Sequence, residues 1–254
     1  MRRDLYEADH EAFRSTVREF IARHVEPNYD DWEKAGIAPR SAWVEAGKQG
    51  LLGTDIDEQY GGGGIKDFRY NAIIRTELTK AGAQGLAIGT HNDVVAPYIT
   101  RLATDEQKQR WLPGFCNGEI ISAIGMSEPA AGSDLRGMQT RAVKDGNDWV
   151  VNGRKTFITN GINADLVVTA VKTDEVKGAH GLTIFGIERG MPGFDRGRNL
   201  EKIGWKAQDT AELIFEDVRV PETNIVGKLH GGFVHLSQNL PKEQIGRTAC
   251  RERV

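Results

Sequence analysis

Residues 126–135 read MSEPAAGSDL and gather two hydroxyls and two carboxylates, those of Ser127, Ser133, Glu128 and Asp134, into one short stretch. Pro129 and Gly132 break any regular element there, so the stretch is expected to be a turn. A loop of this kind can hold a polar ligand through its backbone N–H groups. The same residue types also suit a solvated surface loop, since loops are commonly polar. Further on, residues 151–161 read VNGRKTFITNG. Read as a strand, this segment puts Phe157 and Thr159 on one face, two residues apart. An aromatic beside a hydroxyl suits a flat heteroaromatic ring, the one giving contact area and the other a hydrogen bond. An ordinary pair in a β core has the same pattern, and period alone does not separate the two.

Other chemistries are poorly represented. There is no GxxxxGK[ST] loop and no GxGxxG after a strand, which argues against a P-loop or a Rossmann dinucleotide site. The four glycines at 61–64 read as a flexible turn between helices. The six histidines show no HExxH spacing, and His230 and His235, five apart, fit one helical face badly, so no metal is expected. Cys116 and Cys250 form no CxxC pair, and no serine sits in a GxSxG elbow. With 33 basic and 36 acidic residues the formal charge is -3, which leaves no footprint for nucleic acid or an anionic membrane. The first residues, MRRDLYEAD, carry charge without a following apolar run and do not read as a secretory signal. No segment approaches the ~20 apolar residues of a membrane span. These features lead to the expectation of a soluble, cytoplasmic protein.

The elements that would position such residues change character near residue 120. Before it the pattern is helical. Phe13, Val17, Phe20, Ile21 and Val25 recur at helical spacing, with Pro27 expected to close the run. A second helix is predicted over 41–49, and a third begins at Asp67 as N-cap and carries Ile73, Ile74, Glu77 and Leu78. A fourth carries Val94, Val95, Tyr98, Ile99 and Leu102, with Pro97 in its first turn or at a kink. Thr104 and Gln107 form a capping box for a short helix through Trp111. From Ile120 the period shortens. Strands are predicted over 140–144, 149–151, 155–159, 166–171, 182–187 and 211–218, with Asp145-Gly146-Asn147 as a hairpin turn. No crossover helices intervene, so the strands should form an antiparallel, barrel-like β domain. Phe233, Leu236 and Leu240 then restore helical spacing before Pro241. The fold class is therefore α+β: a helical domain over 1–119, a β domain over 120–229, and a helical segment from 230 to 254.

SEPAAGSD followed by VNGRKTFITNG resembles the paired flavin-binding signature of the acyl-CoA dehydrogenases. EQYGG at 58–62 resembles the loop in that family's N-terminal helical domain, and IFEDVRVP at 214–221 the strand that leaves its β domain. The resemblance implies FAD as cofactor, an acyl-CoA thioester as substrate and electron-transfer flavoprotein as electron acceptor. It implies that the flavin ring meets Ile124, Met126, Ser127, Ser133, Phe157, Ile158 and Thr159. Of these, Ser127 would face the pyrimidine end, Thr159 would donate toward flavin N5, and Ser133 would lie near both FAD and the pantetheine arm. Where many members carry Trp, this chain has Phe157.

LPKEQIG at 240–246 resembles the segment that carries the catalytic base in the family's long-chain subgroup. The matching base is Glu243, expected in the first turn of a helix that begins near Pro241, where the helix dipole favours its ionised form and an apolar pocket opposes it. Gln244 stands where the subgroup has arginine and is the second candidate for contact with the substrate, beside Ser133. The chain ends 11 residues after Glu243 (254 less 243), where the family's C-terminal four-helix domain would be starting. The resemblance therefore implies a long-chain-like dehydrogenase in truncated or split form, as a homo-oligomer or with a partner subunit. A relative of the acyl-CoA oxidases fits the same scaffold. A catalytically silent fragment or partner subunit is the reading from a different class.

Overall fold

The structure is a computed structural model; it describes the backbone of residues 5–248 and the side chains of that span except at 136, 179 and 241–248. The helical part opens with α1 (Ala8–Phe20), which passes through a π-helical turn (Ile21–Val25) and a 3-10 turn (Glu26–Asn28) into α2 (Tyr29–Ala35). Pro27 therefore does not close the run. It falls in the first turn of the 3-10 segment, where a missing N–H costs nothing. Next come α3 (Arg40–Lys48), α4 (Phe68–Lys80), α5 (Ala96–Leu102) and α6 (Asp105–Asn117). Asp67 caps α4 by accepting from the Arg69 N–H at 2.9 Å, and Thr104 and Gln107 form the reciprocal box that starts α6. The α6 helix runs on through Pro113 to Gly118, which ends it at φ 82°. Leu112 and Phe115, both buried, hold the helix to the core on either side of the proline.

His91 and Arg40 are among the side chains that tie the helices to the sheet. His91 is fully buried, stacks on Phe115 at 3.4 Å between centroids, and joins the Phe115 carbonyl through Nε2 and the Ser122 hydroxyl through Nδ1. Arg40 donates to the carbonyls of Asn163 and Glu119 and to the Asp165 carboxylate.

The sheet contains β1 (Ser122–Gly125), β2 (Arg141–Asp145), β3 (Asp148–Thr159), β4 (Leu166–Lys172), β5 (Leu182–Glu188), β6 (Phe194–Asn199) and β7 (Thr210–Pro221). Its order is β1-β4-β2-β3-β7-β6, with β5 added to β4. The hairpin expected across the turn at Gly146 is present as β2 with β3, and β3 with β7, β4 with β5, and β6 with β7 are antiparallel as well. Strand β1 runs parallel to β4, which makes the sheet mixed and curls it into a half-barrel around Trp149, Val151, Phe185, Phe215 and Val218. A second core between sheet and helices contains Tyr98, Trp111, Phe115, Leu166 and Ile184.

The chain then enters α7 (Gly232–Thr248), which is continuous through Pro241. The expectation that a helix starts near Pro241 is thus corrected: the start is nine residues earlier (241 less 232), and Glu243 is not in a first turn. Phe233 and Leu236 pack on the helix–sheet core and carry the helix past the proline. No described helix is long and apolar enough to cross a membrane.

Candidate functional site

The site is made where β3 departs from regular pairing. Lys155 pairs with Leu213 and Ile158 with Ala211, so three steps on β3 face two on β7. This is a β-bulge, which re-aims side chains. Phe157 sits in it at φ 59°, a conformation rare for an aromatic residue and costly enough that the surroundings must hold it. Without the bulge, strict alternation would point residue 157 inward with 155. Instead Lys155, Thr156 and Ile158 are buried, Phe157 is 70% exposed and Thr159 is half-buried. Phe157 and Thr159 thus do share an outward face, though by a route the period-2 argument did not contain. Ile158 belongs to the sheet core, 3% exposed, so its side chain is withdrawn from any ligand on that face and only its backbone could serve.

The loop after β1 lies against this bulge. The Thr156 N–H donates to the Ser127 carbonyl at 2.9 Å, and the Lys155 ammonium to the Met126 carbonyl at 3.3 Å. Ile124 and Met126 pack on the helix–sheet core and are partly buried, Ser127 is half-buried, and Ser133 is exposed. Glu128 serves the loop rather than the surface. Its carboxylate accepts from the Gln139 and Thr140 N–H groups at 2.6 and 3.1 Å and from Lys155 Nζ at 2.7 Å. Its own backbone closes a small bridge with Ala131. The Glu128 and Lys155 side chains are 3% and 0% exposed, an ion pair buried beneath the outward face. Burial raises the Glu128 carboxyl, but the Lys155 ammonium and the N–H donors outweigh it and hold it below its ordinary value.

A third segment, the loop between β6 and β7, reaches the same place. Gln208 donates from Nε2 to the Thr159 hydroxyl at 3.1 Å, and Asp209 accepts from the Ile162 and Asn163 N–H groups just beyond β3. Beside the loop, Met126, Ser133 and Leu135 face Phe233, Leu236 and Leu240 of α7 across a mainly apolar cleft of 270 Å³. Glu243 and Gln244 follow on α7; their side chains lie outside the described residues.

The structure therefore ties Ser127 to Thr156, the neighbour of Phe157, through a backbone contact and sets Met126 and Ser133 on the cleft. Sequence reasoning missed Lys155 and Gln208. The first looks like any strand lysine, and nothing local shows that it turns inward. The second stands in a Gly- and Lys-containing loop whose partner is 49 residues away. A planar ring with polar edges fits what remains open: an exposed aromatic, a hydroxyl whose neighbour is an amide donor, and the edge of a loop. The donor set offers nothing to a metal, and among the described residues no cluster of three or more His, Cys, Asp or Glu side chains could hold one.

A helical bundle backed onto a curled mixed sheet, with an apolar cleft where the two meet a further helix, is the architecture of the acyl-CoA dehydrogenases. The family model for the acyl-CoA dehydrogenase N-terminal domain matches residues 7–119, and that for the middle domain matches residues 123–218. The long-chain specific acyl-CoA dehydrogenase, mitochondrial, of Sus scrofa is 46% identical over 245 residues, 96% of this chain and 57% of that protein. The crystal structure of an acyl-CoA dehydrogenase from Geobacillus kaustophilus superposes with a TM-score of 0.92 at 48% identity, covering 95% of this chain and 64% of that one. A glutaryl-CoA dehydrogenase from Mycobacterium smegmatis in complex with FADH2 superposes with a TM-score of 0.85 at 30% identity, covering 95% and 61%. This chain belongs to the acyl-CoA dehydrogenase family, and it spans a little over half the length of the Sus scrofa relative.

Proposed function

We propose that the chain binds FAD on the face formed by residues 124–133 and 157–159 and takes part in the α,β-dehydrogenation of an acyl-CoA thioester to the trans-2-enoyl-CoA. The bulge at Phe157 carries this reading: it exposes an aromatic surface and a hydroxyl beside a loop that β3 itself holds in place. The bound cofactor supplies the hydride acceptor. Phe157 gives contact area to a flat ring, Thr159 and Ser127 give hydroxyls at its edge, and the Glu128–Lys155 pair keeps loop and strand in register. The acyl group takes the apolar cleft between Met126, Leu135 and α7, which positions it and excludes water. Glu243 is the proposed base for the α proton. It stands three residues beyond Leu240, an interval at which helical positions share a face, and Leu240 lines the cleft.

Similarity to the Sus scrofa protein favours a long acyl chain, and the FADH2-bound relative favours FAD. Electron-transfer flavoprotein is the proposed acceptor. The test is anaerobic spectroscopy of the chain loaded with FAD. Its visible absorbance should bleach on adding a long-chain acyl-CoA, and Glu243→Gln should abolish the bleaching while leaving FAD bound. Bleaching by Glu243→Gln at the normal rate would remove Glu243 from this role, and rapid reoxidation in air would point to an oxidase instead.

A further inference from the structure

We propose that Gln208 is a positioning residue that aims the Thr159 hydroxyl proton at the ligand. The inference rests on the FAD reading above and extends it to a residue outside both flavin segments. Gln208 Nε2 lies 3.1 Å from Thr159 Oγ1 and donates to it. A hydroxyl has one proton and two lone pairs, so an incoming N–H leaves its proton free for another acceptor. Thr159 lies on the outward face with Phe157, and its proton is therefore directed to whatever covers that ring. A carboxylate or carbonyl at the same place would take the proton and turn Thr159 into an acceptor alone.

The backbone around Gln208 is held from two sides. Its N–H donates to the Trp205 carbonyl at 3.1 Å, and its own carbonyl accepts from the Lys202 ammonium, which also reaches the Thr210 hydroxyl at 3.0 Å. Asp209, next in the chain, is tied to residues 162 and 163. The loop thus fixes the amide against the end of β3 instead of letting it wander on the surface. An oxidised isoalloxazine ring presents bare acceptor nitrogens, two of which carry protons once it is reduced. A hydroxyl aimed as donor therefore favours the oxidised ring over the reduced one.

The experiment measures FAD and reduced-FAD dissociation constants for the wild type, Thr159→Val, Gln208→Glu, Gln208→Met and the two double variants. Gln208→Glu and Gln208→Met should each weaken oxidised FAD about three- to tenfold, the range expected for one hydrogen bond, with a smaller effect on reduced FAD. In the Thr159→Val background neither change should matter, because the hydroxyl they act on is gone. Equal losses with and without Thr159, or equal losses for both redox forms, would show a merely structural loop and overturn the proposal. So would wild-type affinity in both single variants. A wild type that binds no FAD would instead remove the flavin reading itself, and this inference with it.

Discussion

Replacing Lys155 by Met removes the one cation that pairs, among the described residues, with the buried Glu128 carboxylate. Both side chains of the Glu128–Lys155 pair are buried, and the pair joins the loop after β1 to β3 at the point where the site is built. Met matches the lysine stem in volume, so no large cavity forms and the electrostatic loss dominates. Removing one partner of a buried pair costs about 3–5 kcal/mol because the other charge stays behind unpaired. For a chain of this size that lowers the melting temperature by roughly 6–20 °C. The double variant Glu128→Gln/Lys155→Met carries no stranded charge. Its glutamine oxygen can still accept from the Gln139 and Thr140 N–H groups, so it should recover at least half of the loss. Thermal melts followed by circular dichroism at pH 7 decide the matter. A Lys155→Met protein melting within about 2 °C of the wild type would refute the reasoning, since that is under 1 kcal/mol. A double variant as unstable as the single one would refute it too.

Two further predictions concern the scaffold. Burial drives His91 down to about 3, against the pull of the Phe115 carbonyl, whereas the unfolded chain titrates near 6.5. The unfolded state thus binds the proton more readily, so stability should fall as pH drops from 6.5 toward 3, with His91 contributing up to about 1.4 kcal/mol per pH unit. Urea unfolding from pH 7 to 4 should show a shallower slope in His91→Gln, and an unchanged slope would exclude the histidine as the cause. A methyl added at Gly47 would lie 2.4 Å from the Asn117 carbonyl, where α3 crosses the end of α6, so Gly47→Ala should cost about 1–3 kcal/mol in urea unfolding. Gly204→Ala, whose added methyl meets nothing within 4 Å, is the neutral control, and equal effects at the two positions would contradict the packing account.

What could be read from the sequence was local. The Thr104–Gln107 box and the Asp67 cap involve groups two or three residues apart, and both occur as expected. The turn at Gly146 and most strands follow from period and turn chemistry. Strand β6 was not foreseen because Phe194-Asp-Arg-Gly-Arg-Asn has no apolar alternation; it is held by pairing with β7. Strand β1 is a run of only four residues, and its parallel pairing with β4 joins residues 44 apart. Pro27 was expected to close a helical run and a helix was expected to start near Pro241; instead Pro27 falls harmlessly in a 3-10 first turn and α7 runs through Pro241. In the site, the motif residues were legible, but the device that presents them was not. A bulge with a left-handed phenylalanine, a lysine turned inward and an amide from a distant loop all depend on partners far along the chain.

The central claim is that the 124–133 loop and the bulged end of β3 form one surface for FAD. Hydrogen exchange measured peptide by peptide, with and without saturating FAD, tests it most directly. The account predicts slowed exchange in peptides covering 124–134 and 156–160, and in the Gln208 loop, with little change in α1 or α4. Binding of FAD with protection confined to other segments would contradict it.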